Sequence, residues 1–170
     1  LIREPQIKHV SQLIGEHTRI FLYGFGSSGL AAQEFQLRLL RLGMDAEAIT
    51  ELHQMVLNEA RITNACLVIG ISLSGATREL IDALGRAKAR GAAVIYLTSS
   101  NAEREKRTYE EIVLAPVKKN LEYGNVISPQ FPILLILDLI YAQLLKEDRR
   151  STEAQYDTHI WERIKDYHVG

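Results

Sequence analysis

The sequence predicts a three-layer α/β domain in which a parallel sheet lies between helices, and three observations predict it. Two short apolar runs, Arg19-Ile-Phe-Leu-Tyr23 and Cys66-Leu-Val-Ile-Gly-Ile71, have the length and the β-branched or aromatic content of strands covered on both faces. Each runs straight into glycine and serine, then into apolar residues at helical spacing. The cycle then repeats, and alternation of this kind builds a parallel sheet through helical crossovers.

After the first loop, Ala31, Phe35, Leu39 and Leu42 mark one face of a helix that Gly43 stops. A short strand at 46–49 and a helix near 52–61 form an additional unit. Beyond the second run, Leu80, Ile81, Leu84 and Ala87 mark the next helix, and Gly91 stops it. Ala92-Ala-Val-Ile-Tyr-Leu97 is a further strand, 102–107 a short helix, and Glu111-Ile-Val-Leu114 a strand ending at Pro116. In 128–145, Ile133 to Leu137, Leu139, Ile140 and Leu144 leave almost no polar stripe, so that helix must be covered on several sides. The cover is the sheet and its neighbouring helices, or in part a second copy of the chain. Glu147-Asp-Arg-Arg150 reads as a charged break, and 152–167 as a last helix anchored by Tyr156, Ile160, Trp161 and Ile164, a candidate dimerisation arm.

Composition narrows the functions available. The 170 residues, 46% hydrophobic, suffice for one well-cored domain and are short for two. Lys and Arg total 20 against 21 Asp and Glu, and Arg86, Lys88, Arg90, Lys118 and Lys119 are scattered among acids. Such a surface offers no basic field for a nucleic acid backbone. The single Cys66 cannot form an internal disulfide and reads as a buried thiol in a reducing compartment, which favours the cytoplasm. The longest apolar stretch, 131–137, stops at Asp138, far short of the roughly 20 residues of a membrane helix. His9, His17, His53, His159 and His168 show no paired ligand spacing, so no metal is expected. The opening Leu-Ile-Arg-Glu-Pro has neither Met nor a signal pattern, and is expected to be cut from something longer.

Chemistry concentrates in two loops. Ser72-Leu-Ser-Gly-Ala-Thr-Arg-Glu79 follows a buried strand and opens an amphipathic helix, where free amides and the helix dipole favour an anion. The hydroxyls of Ser72, Ser74 and Thr77 add donors, and Gly75 leaves room for close approach, so a phosphate suits the loop better than a carboxylate. The alternative is that Ser74 or Thr77 is an N-cap. Arg78 either pairs with the anion or points to solvent, and Glu79 is either a ligand contact or a capping-box partner. The earlier loop, Gly24-Phe-Gly-Ser-Ser-Gly29, spaces its glycines as G-x-G-x-x-G. No clear strand ends at Glu47 or Glu51 to supply a dinucleotide site's acid, and the paired serines suit sugar hydroxyls or phosphate oxygens. Two such loops at the carboxyl ends of parallel strands are expected to flank one crevice.

Ser72-Leu-Ser-Gly-Ala-Thr-Arg-Glu79 resembles the S-x-S-G-x-T-x-E signature of sugar isomerase (SIS) domains, and Gly24-Phe-Gly-Ser-Ser28 resembles their G-x-G-x-S loop. The resemblance spans about residues 10–147. It implies a flavodoxin-like, five-stranded parallel sheet flanked by helices that binds a phosphosugar, as an isomerase or as the sensor of a regulator. His53-Gln54-Met55, Ala87-Lys-Ala-Arg-Gly91 and Asp138-Leu-Ile-Tyr141 are similar to the C-terminal domain of RpiR-type transcriptional regulators. That likeness implies an N-terminal helix-turn-helix domain ahead of Leu1, through which alone DNA would be reached. One position departs: these regulators usually have Arg after Ser128, whereas Pro129 follows here.

The reading is therefore one SIS domain over 1–170, with a core of about 10–147 and a helical tail at 148–170. The expected ligand set is Gly26, Ser27, Ser28, Ser72, Ser74, Gly75, Thr77, His53 and Ser128, with no catalytic residue and no cofactor. Expected partners are a phosphorylated sugar or amino sugar and further copies of the chain, as a homodimer or tetramer. An aldose–ketose phosphosugar isomerase is the alternative. It needs a base beside the sugar carbons, for which His53, Glu122 and Glu79 are the near-motif candidates. Glu122 and Tyr123 either close over the crevice or are ordinary loop residues. A nucleotide-binding oxidoreductase rests on G-x-G-x-x-G alone.

Overall fold

A computed structural model describes residues 2–99, 109–115, 128 and 130–151. In chain order these form α1 (Glu4–Glu16), β1 (Arg19–Gly24), α2 (Gly26–Arg41), β2 (Ala46–Ile49), α3 (Leu52–Asn58) and a 3-10 turn (Glu59–Arg61). Then come β3 (Cys66–Ser72), α4 (Arg78–Ala89), β4 (Ala93–Thr98), β5 (Glu111–Leu114) and α5 (Phe131–Ser151). The five strands make one sheet in the order β2-β1-β3-β4-β5, and every neighbouring pair is parallel.

Successive strand residues point to opposite faces, so each central strand feeds two cores. Ile20, Leu22, Leu67, Ile69, Ile71, Ile95 and Leu97 pack with α1, α2 and α5, whereas Phe21, Tyr23, Val68, Val94 and Tyr96 pack with α3 and α4. All seven residues of β3 are buried, because that strand has a neighbour on either side and helices on both faces. The outer strands β2 and β5 are half-buried, as edge positions require. Gly70 sits where α4 crosses β3, and a Cβ there would lie 2.5 Å from Leu84 Cδ1. Glycine lets the helix press onto the strand that leads into the serine loop.

Three boundaries differ from expectation. Residues 4–16, given no element from the sequence, form α1, which starts with Pro5 in its first turn and buries Ile7, Val10, Leu13 and Ile14. The first loop is shorter than expected, because α2 begins at Gly26 and takes Ser27, Ser28 and Gly29 into its first turn. The charged break at 147–150 is absent: α5 runs unbroken through Ser151, since Glu147 accepts a hydrogen bond from Ser11 on α1 at 3.1 Å and is held on the helix rather than repelled from it. The short helix at 102–107, the last helix at 152–167, Glu122, Tyr123 and Pro129 lie outside the described residues.

Candidate functional site

The carboxyl ends of β1 and β3 lie side by side, and their exits diverge. β1 leads into α2 on one face of the sheet, and β3 leads into α4 on the other. In open parallel sheets ligands bind outside the strand ends at such a reversal point, and both motif loops follow the two strands that meet there.

The loop after β3 is organised around Ser72. This residue is 3% exposed, and its Oγ lies 3.2 Å from Thr77 Oγ1 and 3.5 Å from Ser74 Oγ. Gly75 takes a φ of 66°, a left-handed value that glycine adopts freely, and its N–H donates to Ser72 O at 3.2 Å. Ser74 is exposed and its Oγ accepts from the Ala76 N–H at 3.3 Å. Thr77 occupies the N-cap position of α4 but makes no side-chain cap hydrogen bond. The capping alternative is therefore met only by position. The first amides of α4 remain without intrahelical acceptors, beside hydroxyls joined to one another.

Placing the N-cap at Thr77 puts Glu79 second in the helix rather than third, so the capping box does not form. Glu79 instead lines an open groove between α3 and α4 with Leu52, Val56, Glu59, Asp82 and Arg86. Arg78, the first residue of α4, is exposed.

In the loop after β1, each glycine has a separate physical reason. A Cβ on Gly24 would meet the Ser28 backbone at 2.9 Å, and one on Gly29 would meet Gly24 O at 2.9 Å and Thr50 Cγ2 at 3.0 Å. Gly26 has open space but a φ of 53°. The G-x-G-x-x-G spacing is accounted for by a tight strand-to-helix elbow seated against β2, with Ser27 exposed and Ser28 half-exposed in the first turn.

The remaining expected residues belong to other elements. His53 is exposed in the first turn of α3, after β2, next to Leu52, which shares the groove between α3 and α4 with Glu79. Ser128 is exposed ahead of α5, where its Oγ accepts from the Gln130 N–H at 3.3 Å and its carbonyl from the Phe131 N–H at 3.0 Å. Those bonds hold the entry to α5. Among the described residues, no three His, Cys, Asp or Glu side chains gather as a metal set.

Two further groups at the ends of the strands make specific hydrogen bonds without a sequence motif to announce them. Ser99, just past β4, donates through its N–H (3.2 Å) and its hydroxyl to the Leu73 carbonyl, between the two serines of the loop. The only local sign is a hydroxyl residue following a strand. At the end of β1, the Tyr23 hydroxyl accepts from buried Asn58 Nδ2 at 2.8 Å. Burial pushes the Tyr23 phenol up, partly countered by that hydrogen bond.

The SIS domain family model matches residues 12–133, which contain both loops and all five strands. The chain belongs to the SIS domain family. An uncharacterised HTH-type transcriptional regulator of Haemophilus influenzae is 31% identical over 146 residues, 86% of this chain and 51% of that regulator. The SIS chain thus spans about half the length of the curated relatives it first matches. The sugar isomerase domain of an RpiR transcription factor from Sphaerobacter thermophilus has a similar fold, with a TM-score of 0.77 and 21% identity over 87% of this chain and 81% of that one. The Vibrio vulnificus NanR protein complexed with ManNAc-6P gives 0.84 and 22%, covering 100% of this chain and 64% of that one. The phosphoheptose isomerase GmhA of Neisseria gonorrhoeae gives 0.70 and 18%, covering 84% and 87%. The fold is shared by proteins named as regulators and as isomerases. Among the described residues of this SIS domain, no helix is long and apolar enough to cross a membrane.

Proposed function

We propose that this SIS domain is the phosphosugar-binding effector domain of a cytoplasmic RpiR-type transcriptional regulator, with a helix-turn-helix domain elsewhere in the full protein making the DNA contacts. The observation that carries the reading is the loop Ser72–Thr77, in which the hydroxyls of Ser74 and Thr77 are both within hydrogen-bond reach of Ser72 and adjoin the free amides of α4 at the sheet's reversal point. Such a set donates from several directions at once and suits the several oxygens of a phosphate. The elbow Gly24–Gly29, with Ser27 and Ser28, borders the sugar. The match to HTH-type regulators over most of this chain supports the regulatory role, and the NanR complex with ManNAc-6P supports the ligand class.

Binding of the phosphosugar shifts a dimer between arrangements that differ in affinity for DNA, which requires only that the ligand favour one of them. The alternative, a phosphosugar isomerase, draws on the isomerase neighbours. It needs a base at the sugar carbons, and the carboxylate nearest in sequence to the loop, Glu79, instead lines the groove between α3 and α4.

Calorimetric titration with hexose, pentose and amino-sugar phosphates, ManNAc-6P among them, and with the same sugars unphosphorylated, tests the reading. Binding restricted to the phosphorylated set is expected, since charge-assisted hydrogen bonds contribute about 1.5–3 kcal/mol each. Equal affinity for the free sugars would overturn the phosphate assignment. Turnover in a coupled isomerase assay would move the alternative to first place.

A further inference from the structure

Ser99 hydrogen-bonds twice to one atom, the Leu73 carbonyl oxygen, through its backbone N–H at 3.2 Å and through its hydroxyl. That carbonyl belongs to the central peptide of a four-residue turn, Ser72 to Gly75, closed by the Gly75 N–H to Ser72 O bond. In a trans peptide the N–H of one residue points opposite to the C=O of the residue before it, and the described chain has no cis peptide. Holding the Leu73 oxygen toward the end of β4 therefore turns the Ser74 N–H to the other side of the turn. Among the described residues that N–H meets no backbone carbonyl, whereas the next two amides are engaged within the loop, Gly75 with Ser72 O and Ala76 with Ser74 Oγ.

The opposite orientation of the same peptide is a neighbouring state. A turn whose central peptide is flipped needs a positive φ at its third residue, a position that glycine fills and serine disfavours. Here the third residue is Ser74, and no residue other than glycine has a positive φ. In the flipped state the Leu73 oxygen would take the place of the Ser74 N–H and present an acceptor to an anion. The sequence thus disfavours the flip at Ser74, and Ser99 disfavours it from outside the loop by occupying the carbonyl.

We propose that Ser99 is a positioning residue for anion binding: by fixing the Leu73 carbonyl it aims the Ser74 N–H at a phosphate monoester held in the Ser72–Thr77 loop. This rests on the phosphosugar reading of that loop. Ser99 itself contacts the loop rather than the ligand, and strand β4 thereby sets the geometry of a site built on β3.

The test compares the wild-type domain with Ser99→Ala and Ser99→Thr, each titrated with glucosamine 6-phosphate and with inorganic phosphate, alongside carbon-detected NMR of the ligand-free proteins. Ser99→Ala is expected to weaken both anions by about fivefold, the effect of losing one of two neutral hydrogen bonds on the carbonyl. It should also move the Leu73 carbonyl and Ser74 amide resonances before ligand is added, with the melting temperature nearly unchanged. Ser99→Thr, which keeps the hydroxyl, should restore affinity and both resonances. Wild-type binding together with unshifted resonances or undiminished affinity in Ser99→Ala would overturn the role of Ser99 alone. A wild-type domain that binds neither anion would overturn the phosphate site, and the positioning role with it.

Discussion

Ser72 closes β3 almost out of contact with water, while Ser74, two residues on, is exposed. The buried hydroxyl links Ser74 to Thr77 and the exposed one is open to solvent, so one motif contains both a brace and an available donor. The motif was legible in the sequence because serine, glycine and threonine at that spacing act through local geometry. The division of labour was not, because it depends on how deeply β3 is covered. Replacing Ser74 by Ala is expected to weaken phosphosugar binding roughly tenfold, about 1.4 kcal/mol, while removing from the turn the 3.3 Å bond to Ala76 N–H and the 3.5 Å contact with Ser72 Oγ. Calorimetry paired with a melting curve separates the outcomes, and a lowered melting temperature with intact affinity would make Ser74 a turn residue only. His53 and Ser128 were singled out for residue type and resemblance; the one is exposed in the first turn of α3 and the other hydrogen-bonds at the entry to α5.

At the scale of elements, α1 closes the exposed side of β5. Gln6 Nε2 donates to Glu111 Oε1 at 2.7 Å and to the Ile112 carbonyl at 3.0 Å, and His9 Nδ1 lies 3.0 Å from Glu111 Oε2. A strand edge left bare invites pairing with another chain, and a covering helix blocks that approach. Pro5 followed by Ile7, Val10 and Ile14 at helical spacing was the available signal for this helix. Its partner strand, about a hundred residues away, was not readable from that signal. A second clasp joins α4, β4 and β5: Glu110 accepts from Lys88 Nζ and, at 2.5 Å, from the Val94 N–H. Burial raises the Glu110 carboxyl, but the Lys88 and Val94 hydrogen bonds outweigh it and hold the group below the usual carboxylate range. A lowered folded-state value stabilises the fold above the unfolded carboxylate range and loses that contribution as pH falls through the folded value. Glu110→Gln should therefore cost about 1 kcal/mol at neutral pH, with the gap to wild type closing as pH falls from the ordinary carboxylate range through the lower folded value. Denaturant melts across that range test it, and a pH-independent difference would mean that the charge contributes nothing.

At the scale of the whole molecule, an apolar stripe is exposed among the described residues. Phe131, Leu135 and Leu139, at four-residue spacing along α5, are 57%, 42% and 43% exposed, and Leu30 and Leu37 stand out from α2. Between these helices Arg38 pairs with Glu34 and Asp138, each at 2.6 Å, and lies over the Tyr141 ring at 5.2 Å. The two helices are thus locked to each other, and their outer faces form one surface. A second copy is the proposed cover, through a symmetric contact in which the same stripe serves both chains. Sedimentation is expected to show a dimer that Leu135→Glu with Leu139→Glu converts to a folded monomer. A monomeric wild type, or a dimer indifferent to both changes, would place the interface elsewhere.

By itself the sequence determined the strands, the helices from α2 onward, the parallel sheet, the two loops and the family, because each follows from short-range rules. Strand burial shows as unbroken apolar runs, helix faces as three- and four-residue spacing, and tight turns as glycine at positive φ. Gly43 and Gly91 were identified as helix stops and have φ of 74° and 95°. Tertiary structure alone decided which strand ends meet, how deeply Ser72 is buried, and that Ser99 reaches back 26 residues to Leu73. It also decided that α5 continues past its charged segment, where Ser11 on α1 supplies Glu147 with a partner. These are contacts between residues distant along the chain, and no local pattern encodes them, because either partner alone would be equally at home in water.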